Sequence, residues 1–120
     1  MDTDRRQLRS TDPAAAVRIF LARNATEEGM RAAVVSDPTG AVIAGVGGRI
    51  EMLAATGCSL LDARGVADRE QLRRETQIDV TELHTVRLRV GTKPLVVSSL
   101  GAPIGAIDEL AAALGRILAA

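Results

Sequence analysis

The stretch Ala32-Ala33-Val34-Val35-Ser36-Asp37-Pro38-Thr39-Gly40-Ala41-Val42-Ile43-Ala44 decides how the rest of the chain is read. Met30 to Ser36 is a short apolar run centred on Val34 and Val35, which is a strand pattern. Asp37-Pro38-Thr39-Gly40 reads as a turn with a mechanism. Asp suits the first position, Pro presets φ at the second, and Gly supplies positive φ at the end. Ala41 to Ala44 then returns as a second strand. The segment is a β-hairpin, and a hairpin pairs its strands antiparallel.

Upstream, residues 1–10 are polar and read as a flexible N-terminus. Thr11-Asp12-Pro13 is a helix start, with Asp12 as cap and Pro13 in the first helical position. Val17, Phe20, Leu21 and Asn24 follow at helical spacing, and Gly29 ends the helix. Downstream, Gly45-Val46-Gly47-Gly48 breaks the chain. Arg49 to Arg64 then reads as a second helix, with Ile50, Leu53, Ala54, Gly57, Cys58 and Leu61 as an apolar stripe and Gly65 as C-cap.

Val66 to Asp79 is rich in charge and reads as a surface connection with room for one helical turn. Thr81 to Val90 ends in alternation, with Val86, Leu88 and Val90 on one face and Arg87 and Arg89 on the other. Gly91-Thr92-Lys93-Pro94 turns the chain into a strand from Leu95 to Ser98. Gly101 to Gly105 is a break, and a last helix runs from about Ala106 to Leu118, with Ile107, Leu110, Ala111, Leu114, Ile117 and Leu118 inward. The expected class is α+β: an antiparallel sheet of four to five strands between helices, in the order αββαββ(β)α. Residues 11–120 are expected to form one domain.

Composition narrows the function. Fifteen basic residues balance fifteen acidic ones in 120, which removes the usual electrostatic case for nucleic acid and weakens that for an anionic membrane surface. With one Phe and neither Tyr nor Trp, there is no aromatic platform for stacking bases. A single Cys and a single His exclude an intrachain disulfide and the common zinc sets. No run is long and apolar enough for membrane insertion, and Met1 to Arg9 is not a secretory signal, so a cytoplasmic location is expected.

Catalytic chemistry finds little purchase. His84 has no Ser or Cys in a motif with it and reads as a structural or surface histidine. Cys58 lies on an apolar stripe, where a thiol behaves as a small hydrophobe. The Gly45–Gly48 stretch lacks the P-loop lysine and the complete dinucleotide fingerprint, so it reads as a strand-to-helix hinge rather than a phosphate cradle. Asp68, Glu70, Glu75 and Asp79 show no calcium-loop spacing. No enzyme, metal or cofactor is expected.

The informative absence is on the second helix. Between Ile50 and Leu61 its only charge is Glu51, and Met52, Ala55 and Ser59 lie opposite the apolar stripe. Such a helix looks covered on both faces. A second copy is the economical cover, since small residues allow close helix approach.

Three stretches carry a family resemblance. The 32–44 hairpin resembles the opening hairpin of Roadblock/dynein light chain domains. Met52-Leu53-Ala54-Ala55 falls where those domains have their middle helix, and Leu95-Val96-Val97-Ser98-Ser99-Leu100-Gly101 resembles their penultimate strand. The resemblance spans roughly Val17 to Leu118. It implies a profilin-like α+β architecture and a non-enzymatic homodimer or heterodimer in which middle helices pair and third strands join. It also implies a bacterial regulator of a small Ras-like GTPase, as scaffold or co-activator of GTP hydrolysis. Carried onto this chain, the dimer interface would hold Met52, Ala55, Ser59, Val86 and Leu88. Arg49, Arg87 and Arg89 are candidates for touching the partner. One departure is that Gly101–Gly105 is too short for the family's fifth strand. A rival reading also stays open: a small-ligand sensor of the same architecture, with Gly45–Gly48 and Arg49 at a pocket mouth.

Overall fold

A computed structural model of the chain describes residues 13–62, 65–105 and 107–118. The expected flexible residues 1–10 and the Asp12 cap lie outside them. The elements are α1 (Pro13–Glu28), β1 (Ala32–Ser36), β2 (Val42–Val46), α2 (Ile50–Asp62), α3 (Val66–Thr76), β3 (Leu83–Val90), β4 (Lys93–Leu100) and α4 (Ile107–Leu118). The strands form one antiparallel sheet in the order β2-β1-β4-β3. The α+β class therefore holds, with four strands. Gly101–Gly105 adds no fifth: Gly101 N–H donates to Glu82 O at 2.9 Å, and Ser99 Oγ to Ala102 O at 2.6 Å, which bends the chain toward α4.

The hairpin turn works through its aspartate. Asp37 Oδ1 accepts from Thr39 N at 2.8 Å, Thr39 Oγ1 at 2.5 Å and Ala41 N at 3.1 Å. Gly40 takes φ 92°, which a side chain would resist. The same Asp-x-Thr device recurs before β3, where Asp79 Oδ1 accepts from Thr81 N at 3.0 Å and Thr81 Oγ1 at 2.6 Å. At the end of α1, Met30 N–H reaches back to Ala25 O at 3.0 Å, the long bond of a Schellman motif.

β1 lies inside the sheet and is buried at all five positions. Its alternate residues feed two cores. Ala33 and Val35 join Val97 and Leu95 under α1 and α4, which contribute Val17, Leu21, Leu110 and Leu114. Ala32 and Val34 join Leu83 under α2, which contributes Leu53 and Ala54. Burying each such leucine stabilises the fold by about 1.5–3 kcal/mol. In α4 the buried small residue is Ala113, whereas Ala111, expected inward, is only half-buried. In α2 it is Leu60 rather than Leu61 that packs on the second core.

The Val66–Asp79 stretch corrects the sequence reading. Most of it is the helix α3, not a surface connection. Glu, Gln, Arg and Leu favour helix, and the pairs Gln71–Glu75 at 2.9 Å and Arg73–Glu70 at 3.1 Å sit at helical spacing. The helix hides from a periodicity search because Leu72 is its only large apolar residue besides Val66 at its start.

Two glycines matter for packing. A methyl group on Gly57 would lie 1.9 Å from Ser98 Oγ and 2.9 Å from Ser98 Cβ. At Gly47, φ is 96° and a methyl would meet Arg31 O at 2.7 Å. The glycine-rich stretch thus closes the end of β2 onto Arg31 and Ala32.

Gly57→Ala should destabilise the protein by about 1–3 kcal/mol in urea unfolding, through overpacking. An unchanged midpoint would refute the tight contact. A second expectation concerns acid. Hydrogen bonds from Thr39 and Ala41 lower the Asp37 pKa, and those from Thr81 lower that of Asp79. A lowered folded-state pKa gives stability that is present above about pH 4 and is lost as pH falls through it. The thermal midpoint should therefore fall on acidification below about pH 4, and fall less steeply in the Asp37→Asn/Asp79→Asn double variant. Equal acid slopes would count against these turns as the acid-sensitive parts.

Candidate functional site

α2 is held by its inner face. Leu53, Ala54, Thr56 and Gly57 are buried against the sheet, and Thr56 Oγ1 returns to Met52 O at 2.6 Å. Buried hydroxyls on the sheet side are satisfied too, since Thr85 Oγ1 and Ser98 Oγ lie 3.1 Å apart. Cys58 is half-buried, with Sγ 3.6 Å from Asp37 O and 3.8 Å from Ser36 Oγ. It packs at the base of the hairpin turn.

The outer face of α2 presents Met52, Ala55 and Ser59, all exposed. Met52 is 39% exposed, high for a large apolar side chain. Ala55 borders the hairpin turn, its Cα 3.5 Å from where a Gly40 methyl would sit. Ser59 opens on a cleft of about 200 Å³ between α2 and α3, shared with Asp62, Asp68, Gln71 and Glu75. The C-terminal end of this face is therefore bordered by α3, a neighbour that the sequence reading did not supply. The N-terminal part, around Met52, stays open.

β3 is an edge strand, eight residues long, with no second neighbour in the sheet. Val86 and Leu88 stand on the α4 side of it. Val86 is 41% exposed and borders an apolar groove of about 140 Å³ with His84, Ile104 and Ile107. Arg87 points to the other side, where its NH2 lies 3.5 Å from Asp62 Oδ1 at the end of α2. Arg89 is exposed two residues on. The five residues assigned to one interface are thus not on one face. Met52, Ala55 and Ser59 lie on α2, while Val86 and Leu88 lie on the opposite side of the sheet, joined to them only through the β3 edge.

Nor do the three arginines gather. Arg87 is at the C-terminal end of α2 and Arg49 precedes its N-terminus, about 18 Å away along the helix. Arg49 adopts φ 56°, a left-handed backbone unusual outside glycine, and its NH2 donates to Thr76 O at 2.8 Å. It borders a cavity of about 290 Å³ whose wall includes Gln77, Ile78 and Asp79. The sequence reading gave Gln77 and Ile78 no role and weighed Asp79 only as a calcium ligand. The apolar Ile78 between polar neighbours was the available signal. Among the described residues no three His, Cys, Asp or Glu side chains form a metal-holding group. No helix there is long and apolar enough to cross a membrane.

No protein-family profile and no curated protein matches the sequence. Solved structures do match in fold. One described as MglB with a tetrameric arrangement superposes with a TM-score of 0.55 at 21% identity, over 88% of this chain and 89% of that one. The gliding protein MglB from Thermus thermophilus gives 0.54 at 19% identity, over 88% and 90%. The resemblance read from the hairpin and the middle helix is thereby matched by the arrangement of the whole sheet and its helices: this chain has a Roadblock-like fold, built on the same plan as MglB.

Proposed function

We propose that the chain is a non-enzymatic, homodimeric adaptor that binds a small Ras-like GTPase, as scaffold or co-activator of hydrolysis, inside the cell. The observation that carries this reading is the open outer face of α2. Met52 and Ala55 offer an apolar, nearly uncharged surface on a helix whose other face is fully engaged with the sheet. A helix that is apolar all round is normally buried.

The edge of β3 supports the same reading. An eight-residue edge leaves a row of backbone N–H and C=O groups ready to pair with another chain. A twofold dimer would use one patch twice, so α2 would meet α2 and β3 would meet β3. Val86 and Leu88 then lie beside the joint on one side of the sheet, and Met52, Ala55 and Ser59 on the other. That arrangement accommodates all five residues although no single face holds them. A tetrameric arrangement is known for a structure of the same fold, MglB, which supports self-association here. The GTPase rests on the Roadblock resemblance, with Arg49, Arg87 and Arg89 as the cationic candidates for contact.

In size-exclusion chromatography with light scattering, the wild type should run as a dimer and Met52→Glu as a monomer, because a carboxylate at the joint would be desolvated without a partner. A Met52→Glu dimer would remove α2 from the interface. The wild-type dimer should also bind a small Ras-like GTPase of the same genome when that protein holds a non-hydrolysable GTP analogue. Absence of binding in both nucleotide states would sink the GTPase assignment while leaving the dimer intact.

A further inference from the structure

We propose that the cavity between the start of α2 and the α3–β3 connection binds a small zwitterion, an α-amino acid with an aliphatic side chain. The cavity holds about 290 Å³, near the lower end for small-molecule sites. Its inner wall is apolar: Leu53 and Ile78 are buried, and Leu100 is half-buried. Charge is confined to four residues, Arg31, Arg49, Asp79 and Glu82, two of each sign. An apolar pocket with a few polar groups of both signs suits a ligand that is apolar at one end and dipolar at the other.

The four charges are not equivalent. Arg31 and Glu82 are paired with each other across the rim. Arg49 spends one donor on Thr76 O, and a guanidinium has five. Asp79 engages Thr81 through Oδ1, which leaves its second oxygen as an acceptor. The Thr81 hydrogen bonds also lower the Asp79 pKa, so the carboxylate is charged at neutral pH. The rim thus offers Arg49 for a carboxylate and the second Asp79 oxygen for an ammonium, beside a wall for an aliphatic chain, with Arg73 and Arg31 also acting on Asp79. A dianion or a dication would meet an unmatched charge at one of the two positions.

The backbone adds a second line. Arg49 and Gln77, the only described residues other than glycine with positive φ, both border this cavity. Such conformations cost free energy and concentrate at ligand clamps and switch regions. Gln77 takes its φ as the C-cap of α3, its N–H donating to Arg73 O at 2.9 Å, which leaves Arg49, ahead of α2, as the position that neither a helix C-cap nor the packing of the two cores accounts for. Binding here leaves Met52 and the β3 edge untouched, so it is separable from dimerisation, and Arg49 alone is shared with the proposed GTPase contact.

The test is thermal unfolding and calorimetric titration of the full chain with L-leucine. A ligand that binds only the folded state raises its stability, so the midpoint should climb by several degrees toward saturation. Isocaproate lacks the ammonium and isoamylamine lacks the carboxylate. Each should bind at least about tenfold more weakly, the equivalent of one charge-assisted hydrogen bond. Arg49→Asn removes the guanidinium while keeping a residue that tolerates the left-handed backbone. Asp79→Asn keeps an oxygen for Thr81. Both variants should fold and lose the L-leucine shift. No shift in the wild type, a full shift retained in either variant, or a half-ligand that binds as tightly as L-leucine would overturn the proposal.

Discussion

Gly57 lies so close to Ser98 that the sheet and α2 touch almost backbone to side chain, with no space for one methyl group. Much of the molecule follows from that distance. It seats α2 on β4 and β1 and sinks Leu53 and Ala54 into the second core, above the Thr85–Ser98 pair that the β3–β4 register brings together. A close helix presents a well-defined outer face. The small residues that looked in the composition like a thin core are, at these positions, what permits the approach.

The two sides of the sheet are covered unequally. On one side α1 and α4 bury the first core between two helices, with Leu21, Leu110 and Leu114 fully enclosed. On the other side α2 works alone, bordered by α3 only toward its C-terminal end. This asymmetry leaves an apolar helix surface beside an unpaired strand edge. It is also why the cavity at the α2 N-terminus exists: the α3–β3 connection passes that end of the helix without filling it, tied across by the Arg49–Thr76 bond.

Local chemistry made some of this legible from the residues alone. The Asp37–Gly40 turn is written in side chains that act within a few residues of themselves, so turn, hairpin and antiparallel pairing follow without tertiary knowledge. The stripe of Val17, Leu21 and Asn24 on α1 is likewise a local pattern that burial confirms. α3 was not legible, because its support comes from polar pairs along one surface rather than from an apolar stripe. The separation of Val86 and Leu88 from Met52, Ala55 and Ser59 was not legible either. Alternation says which strand residues share a face, but not which helix covers it.

Sequence alone determined the hairpin, the α+β class with an antiparallel sheet of four to five strands, and the low charge of the middle helix, since each depends on near neighbours or on periodicity. The tertiary structure decided which side of the sheet each helix takes and where Arg49 and Asp79 come together around one cavity, thirty positions apart in the chain. Those outcomes depend on contacts between distant segments. Arg49 is one such link: its backbone is left-handed, and its side chain donates to Thr76 O, 27 residues further along the chain.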